Sequence, residues 1–469
     1  MELFKDIAKF KDNVALLSDN YNPVSYNEIL IHSEKIKEHL NERTLILVIS
    51  ENSVGSIISY ISCLRNNCVV LLIDIKTKKK DILKLIKIYR PEFIMAPINI
   101  IKSYLEISNI KKKIFNYGLC ETGIKNSLIL NKELCLLLPT SGSLGSPKFV
   151  RLSKNNLLFN CRSILKYLEI KTSHRSLTTM PSSYSYMLSI INTYLYSGAS
   201  IFVENKSILQ REFWENYKKN KITSFSGVPY IFETLIKLGF EKILTKNLRE
   251  ITQAGGKLNT ETQKKIADIC KKNKIKFFIM YGQTEASPRI SYLDSKFASK
   301  KIGSIGKAVP GTQMWLEDLN QKIIKKPNQI GELKIKGKNV SLGYSYKFED
   351  LNNKDENKGV LRTGDLAFFD KDNFYFLKGR KDRIIKIFGN RLSLDELEAK
   401  MNEIGFSLIC NVEGNKIKVF FEKEYNIIDL KNKISEVSNQ NSSIFDFKLI
   451  KKIPRTSSDK IDYKKLNTL

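Results

Sequence analysis

The chain has 469 residues, 42% of them hydrophobic, with 23 glycines; that balance excludes wholesale disorder, and the length suggests roughly two to four domains. Seven cysteines form no CxxC pair and the only histidines are at 32, 39 and 174, which argues against a zinc module, a disulfide scaffold, Ser-His-Asp machinery and an HExxH metalloprotease. The formal net charge is +29, from 78 Lys+Arg against 49 Asp+Glu, but only 14 of the 78 are arginines and the lysines spread along the whole chain. Base readout and bidentate phosphate contacts favour arginine. A solvated lysine-rich surface is therefore the preferred reading, and a basic nucleic-acid-binding protein is the alternative of a different class.

The opening MELFKDIAKFKD carries charges where a signal peptide has an apolar run. The most apolar stretch, 44–75, is interrupted by Glu51, Asn52, Arg65 and Asp74, so no transmembrane anchoring is expected and the expected location is the cytoplasm. Residues 25–40 have helical apolar spacing. They precede a buried-strand pattern at 44–50, a helix at 53–65, a strand at 68–75, a lysine-rich helix at 77–89 and a strand at 92–96. Such alternation predicts a parallel α/β sheet with helices on its faces. It resumes after 176, with helices near 187–196, 207–219, from 229, and 260–273, and strands between them ending in KFFIMYG. From about 301 short alternating runs suggest hairpins, and the last segment reads as a small α+β unit with strands at 407–412, 416–422 and 445–451 and a helix at 427–438.

Five segments carry chemistry. The run LLLPTSGSLGSPK (136–148) ends a strand in a Thr/Ser/Gly loop closed by Pro-Lys, a composition that lets backbone N–H groups, hydroxyls and a cation converge on an anion. It is neither GxxxxGK[ST] nor GxGxxG. YGQTE (281–285) offers an aromatic face, a hydroxyl and a carboxylate suited to Mg²⁺. TGD (363–365) places a carboxylate at an expected tight turn, suited to ribose hydroxyls. GRKDRIIKIFGNR (379–391) and IPRTSSDKI (453–461) follow.

In this order the segments resemble those of the adenylate-forming superfamily: acyl- and aryl-CoA synthetases, nonribosomal-peptide adenylation domains and luciferases. Residues 140–148 match the family's [ST]SG[ST]TGxPK except at Leu144, and YGQTE matches YGxTE. IGSIGKAVPG (302–311) and GELKIKGKNVSLGY (331–344) match two intermediate motifs, and TGD matches as it stands. GRKDRIIKIFGNRLSLDELE matches the hinge motif, and PRTSSDK stands where the family has PRTxxGK, with Asp459 in place of glycine. Collinear motifs over essentially the whole chain make the resemblance specific.

The resemblance implies an α/β fold: a large multi-subdomain N-terminal α/β region with a β-rich part (1–379), a hinge at 380–382 that includes Asp382, and a small mobile α+β lid (383–469). It implies that Thr140, Ser141, Gly142, Ser143 and Gly145 cradle the β- and γ-phosphates of ATP, with Lys148 nearby. Glu285, with Thr140, would hold Mg²⁺, and Thr284 would contact the α-phosphate. Tyr281 with Gly255, Gly256 and Lys257 would sandwich adenine, and Gly282 and Gln283 would also belong to the ATP site. Asp365 and Arg380 would grip the ribose, and Lys460 would bridge carboxylate and adenylate. Tyr184, Tyr186, Ser226 and Gly227 would line the acyl pocket, and Phe388, Gly389 and Arg391 a thiol tunnel. The implied activity is ATP-dependent activation of a carboxylic acid as an acyl-AMP, then transfer to a thiol, coenzyme A first. An acyl-AMP ligase or stand-alone adenylation domain serving a separate acyl carrier protein is the alternative, and a degenerate family member, given Leu144 and Asp459, is a further one. Residues 181–187 contain no acidic side chain, which disfavours an amino acid substrate, whose buried ammonium would lack a partner.

Overall fold

The structure, a computed structural model, describes residues 3–40, 43–105, 109–140, 148–387, 390–413, 416–456 and 461–468, and gives the backbone alone for 104, 386, 387, 390, 391 and 464. The chain forms two compact units, Met1–Gln313 with Ile335–Leu361, and Met314–Lys334 with Arg362–Leu469.

In the first unit, strands Leu45–Ser50, Val69–Asp74, Phe93–Pro97 and Leu134–Pro139 run parallel at the centre of an eight-stranded sheet. The sequences LILVIS and VVLLID do not alternate, and every residue of both is buried, the pattern of a sheet covered on both faces. The crossover helix Val54–Arg65 is buried over residues 54–64 and is capped by Ser53, whose hydroxyl accepts from the Ser56 N–H. Antiparallel strands close both edges: Phe149–Ser153 and Gly343–Ser345 on one, Tyr117–Glu121 and Ile110–Ile114 on the other.

A second parallel run orders Ser224–Gly227, Glu250–Gln253 and Lys276–Tyr281, followed by antiparallel Ser291–Leu293 and Ser304–Ala308. Helices Pro229–Lys237, with proline at its first turn, and Thr260–Lys272, capped by Asn259, make the crossovers. The carboxyl ends of these three strands therefore point the same way, the end at which open α/β sheets collect ligands. A small third sheet joins Arg175–Leu177, Ser200–Phe202, Val14–Leu17 and Val24–Ser25.

The second unit contains the strand order Tyr375–Arg380, Val360–Phe369, Gly331–Lys336, Gln313–Glu317. It also has a hairpin of Ile384–Ile387 and Asn390–Ser393 and a three-stranded sheet of Ile409–Glu413, Lys416–Phe421 and Phe445–Leu449. Helices Leu394–Glu403 and Ile427–Ser438 pack a core of Leu394, Met401, Cys410, Val419, Leu430 and Ile434 on that sheet. Arg383 pairs with Asp395 and Glu398 and lies 4.5 Å over the Tyr463 ring.

The expected α/β alternation is present, but it is split between separate sheets. Helix Lys154–Leu168, the hairpin Ile110–Ile114/Tyr117–Glu121 and helix Leu394–Glu403 were not anticipated. One expectation is corrected: Thr363–Gly364–Asp365 is not a tight turn. It lies inside the ten-residue strand Val360–Phe369, where Gly364 takes a φ of 72° and pairing with Tyr375–Arg380 begins at the next residue, Asp365 opposite Arg380. Glycine admits that left-handed residue without ending the strand.

Arg151 is fully buried on strand Phe149–Ser153. Its guanidinium donates to the carbonyls of Leu342 (2.9 Å), Tyr344 (2.9 Å), Asn353 (2.7 Å) and Lys354 (3.2 Å) and pairs with Glu356 at 3.0 Å. Five acceptors for one planar fork satisfy the charge and tie residues 342–356 to the sheet edge. Arg151→Met is expected to lower the unfolding free energy by about 3 kcal/mol or more, because buried carbonyls lose their donors. Urea unfolding measures this, and a loss within the error of a surface substitution would contradict it.

Candidate active site

Register brings the ends of the Thr/Ser/Gly loop together. Pro139 pairs with Phe149 across the antiparallel strands, so Thr140 and Lys148 stand side by side where the loop leaves the sheet, both half-buried. Ser141, Gly142, Ser143 and Gly145, with Leu144, lie outside the described residues. The neighbouring strand Gly343–Ser345 pairs Tyr344 with Val150. That places the Tyr344 ring 3.9 Å beneath the Lys148 ammonium and the Tyr344 hydroxyl 2.9 Å from Glu285 Oε1, to which it donates. A cation–π contact of this kind contributes about 0.5–2 kcal/mol.

Glu285 reaches this position because strand Lys276–Tyr281 ends in a sharp turn. A Cβ on Gly282 would overlap the Pro288 carbonyl oxygen, so only glycine lets the two chain segments touch there. The following single turn Thr284–Ala286 is anchored by the Ser341 N–H, which donates to the Glu285 carbonyl at 2.9 Å. Thr284 Oγ1 lies 3.2 Å from Ser185 Oγ, and Gln283 Nε2 lies 3.4 Å from the Tyr281 hydroxyl. Tyr281, Gly282, Gln283, Thr284 and Glu285 are all half-buried, at the boundary of core and solvent.

The proposed acyl-pocket residues gather at the ends of the second parallel run. Tyr186 is 2% exposed, and its hydroxyl lies 2.9 Å from both the Thr252 carbonyl and the Thr252 hydroxyl. Ser226 Oγ is 2.7 Å from the same Thr252 hydroxyl. Tyr184 stands edge-on to Tyr186, centroids 6.3 Å apart. Gly255 has a φ of 84°, and a Cβ there would sit 2.6 Å from the Tyr184 hydroxyl; the turn is thus closed over that phenol. Burial raises the pKa of both tyrosines, so they act as neutral hydrogen-bonding groups. Gly227 is buried, while Gly256 and Lys257 are exposed just beyond Gly255.

In the second unit the Asp365 carboxylate, 7% exposed, pairs with Arg380 at 3.2 Å, and Arg380 also reaches Asp382 at 3.4 Å. Phe388, Gly389, Asp459 and Lys460 lie outside the described residues, as does the side chain of Arg391.

Sequence reasoning missed Tyr344, Ser185, Thr252 and Arg289. Tyr344 closes the GELKIKGKNVSLGY segment, so its position was visible and its link to Glu285 was not. Arg289 is 2% exposed, with its guanidinium 4.2 Å over the Tyr186 ring. Glu250, 3% exposed on the second parallel run, accepts from the Tyr194 hydroxyl at 3.0 Å, and burial pushes its pKa up to about 7.

The donor set around Glu285 suits Mg²⁺. One carboxylate oxygen is bound by Tyr344 and hydroxyls stand alongside; Mg²⁺ takes one or two carboxylates and completes its shell with phosphates and water. Among the described residues no group of three His, Cys, Asp or Glu side chains is gathered into an all-protein metal cage.

Glu250 makes a pH prediction. Its folded-state pKa lies above the ordinary carboxylate value, so between about pH 4.5 and 7 the folded protein keeps a proton that the unfolded chain releases. Stability should therefore fall with rising pH across that window, and Glu250→Gln should flatten that part of the profile. Urea midpoints of both proteins from pH 4.5 to 8 measure it; parallel profiles would contradict the assignment.

The family of AMP-binding enzymes matches residues 3–345. The chain is 23% identical to the D-alanine–D-alanyl carrier protein ligase of Bacillus licheniformis over 99% of both proteins. It is 26% identical to the 2-succinylbenzoate–CoA ligase of a Geobacillus species, over 57% of this chain and 53% of that one. The fold resembles that of the O-succinylbenzoate coenzyme A synthetase of Bacillus subtilis in complex with ATP and a magnesium ion, with a TM-score of 0.78, 19% identity and 99% of each chain covered.

Proposed function

The chain belongs to the family of AMP-binding enzymes, and from that membership we propose that it is an ATP- and Mg²⁺-dependent ligase joining a carboxylic acid to a thiol, coenzyme A first, through an acyl-adenylate. One observation carries the reading. Tyr344 links the Lys148 end of the Thr/Ser/Gly loop to Glu285 of the YGQTE turn, so a cation and a carboxylate converge at strand ends. Joining two anions needs such a site.

In the first half-reaction a carboxylate oxygen attacks the α-phosphorus, the bond from that phosphorus to the bridging oxygen breaks, and pyrophosphate leaves. In the second, a thiolate attacks the acyl carbon and AMP leaves with the carboxylate's former oxygen. Thr140, Ser141, Gly142, Ser143 and Gly145 are assigned to the β- and γ-phosphates, Lys148 beside them, and Thr284 to the α-phosphate. Glu285 and Thr140 would hold Mg²⁺, which when bound offsets phosphate charge. Tyr281 and residues 255–257 are assigned to adenine, Asp365 and Arg380 to ribose, and Lys460 to the forming adenylate. Ribose hydroxyls would compete with Arg380 for the Asp365 carboxylate. Residues 383–469 are assigned to a lid turning about 380–382, with Gly389 lining the thiol path. All seven cysteines are buried and outside any disulfide, which supports our placement of the enzyme in the cytoplasm; no described helix is long and apolar enough to cross a membrane.

The carrier-protein reading has its own support, the end-to-end match to a D-alanyl carrier protein ligase. Pyrophosphate release across short, long-chain and aryl acids, with coenzyme A present or absent, tests the proposal; no acid-dependent release with any of them would sink it. Acid-dependent release without any coenzyme A thioester would favour the carrier.

Two substitutions follow. Lys460→Ala is expected to slow adenylation by about 10²–10³ while sparing thioester formation from pre-made acyl-AMP; equal loss in both half-reactions would contradict the lid assignment. Glu285→Gln is expected to raise the Mg²⁺ concentration needed for half-maximal turnover with the fold intact. An unchanged Mg²⁺ titration would remove Glu285 from the metal site.

A further inference from the structure

Arg289 is a buried cation without a counter-ion. It is 2% exposed, and its Nε is enclosed with no hydrogen-bond partner. Among the described residues no carboxylate lies within ion-pair distance of its guanidinium; Glu250 is engaged by Tyr194 instead. Arginine keeps its proton in proteins, and burying an unpaired charge is costly. The Tyr186 face at 4.2 Å compensates only in part.

The backbone is firmly set. The Arg289 Cα lies 3.3 Å from where a Cβ on Gly282 would be, its carbonyl accepts from Asn339 Nδ2 at 2.8 Å, and the next residue, Ile290, donates its N–H to the Tyr281 carbonyl at 2.9 Å. The side chain therefore starts beside the YGQTE turn and lies on Tyr186, one of the residues assigned to the acyl pocket. A planar guanidinium on a set backbone, with its Nε enclosed and unpartnered, is a receptor for a carboxylate, which it can bind bidentately.

We propose that Arg289 determines specificity by binding a second carboxylate on the acid substrate, so that the enzyme activates dicarboxylic acids. This rests on the ligase reading and names its substrate class. The reacting carboxylate is the poorer candidate for this partner, because lone pairs held by a permanent cation are weak nucleophiles. The same charge repels a substrate ammonium, which sets this pocket against amino acids.

The test uses the full-length protein and matched acids: succinate through suberate against butyrate through octanoate, phthalate against benzoate, and both enantiomers of alanine. For the wild type, kcat/KM from acid-dependent pyrophosphate release is expected to favour the matching diacid by about 10²-fold or more. Arg289→Met, close in volume, should abolish that preference mainly through KM of the diacid while activity on the monoacid holds or rises; Arg289→Lys should recover part of it. A general collapse of both activities in Arg289→Met, with Arg289→Lys restoring both alike, would make the residue structural and overturn the inference. A wild type preferring monoacids or alanine would overturn it too. Calorimetric binding of the same diacids with AMP present reads the site without turnover. Diacid binding lost in Arg289→Met supports the inference even where turnover fails, and no diacid binding to the wild type overturns it.

Discussion

The fork of Arg151 holds the site's geometry in place. A guanidinium with no solvent contact gathers the carbonyls of residues 342, 344, 353 and 354 and the Glu356 carboxylate, so the strand Gly343–Ser345 has one place to lie. Tyr344 rides on that strand. From there its ring meets Lys148 and its hydroxyl meets Glu285, which joins the edge of one sheet to the turn that ends a strand of another. A core interaction thereby sets the separation of a cation and a carboxylate, groups that solvent-exposed side chains would not hold at fixed distance.

Below that bridge the second parallel run supplies a different chemistry. Tyr184, Tyr186, Ser226 and Thr252 form a neutral, hydrogen-bonded wall at the carboxyl ends of three strands. Phenols kept protonated by burial add polarity without charge. Arg289 adds a permanent charge beside that wall, and among the described residues it has an aromatic face rather than an anion for a partner.

Much of this was legible in the sequence because parallel strands buried on both faces, such as LILVIS and VVLLID, leave continuous apolar runs bounded by helix-length segments. YGQTE was legible because Gly282 has a steric reason to be where it is, and the loop 140–148 because its composition is that of an anion-binding loop. What stayed hidden depends on contacts far apart in the chain. Helix Lys154–Leu168 has a polar first turn, KNN, that reads as a loop until its Ser153 cap is seen. Asp365 read as a turn residue because Thr-Gly-Asp is turn chemistry, yet strand pairing with 375–380 overrides it. Tyr344 sits in a legible motif, but its partner Glu285 lies 59 residues away; Arg289 carries no local pattern, and its partner Tyr186 lies 103 residues away.

The central claim is that a carboxylate oxygen attacks the α-phosphorus of ATP and that the acyl group then leaves AMP for a thiol. Heavy-oxygen labelling of the acid's carboxylate tests it most directly, with an acid that the enzyme turns over to its thioester. The account predicts one labelled oxygen in the phosphate of the AMP released and one retained in the thioester carbonyl. Release of label-free ADP in place of AMP, with heavy oxygen appearing in inorganic phosphate, would contradict it.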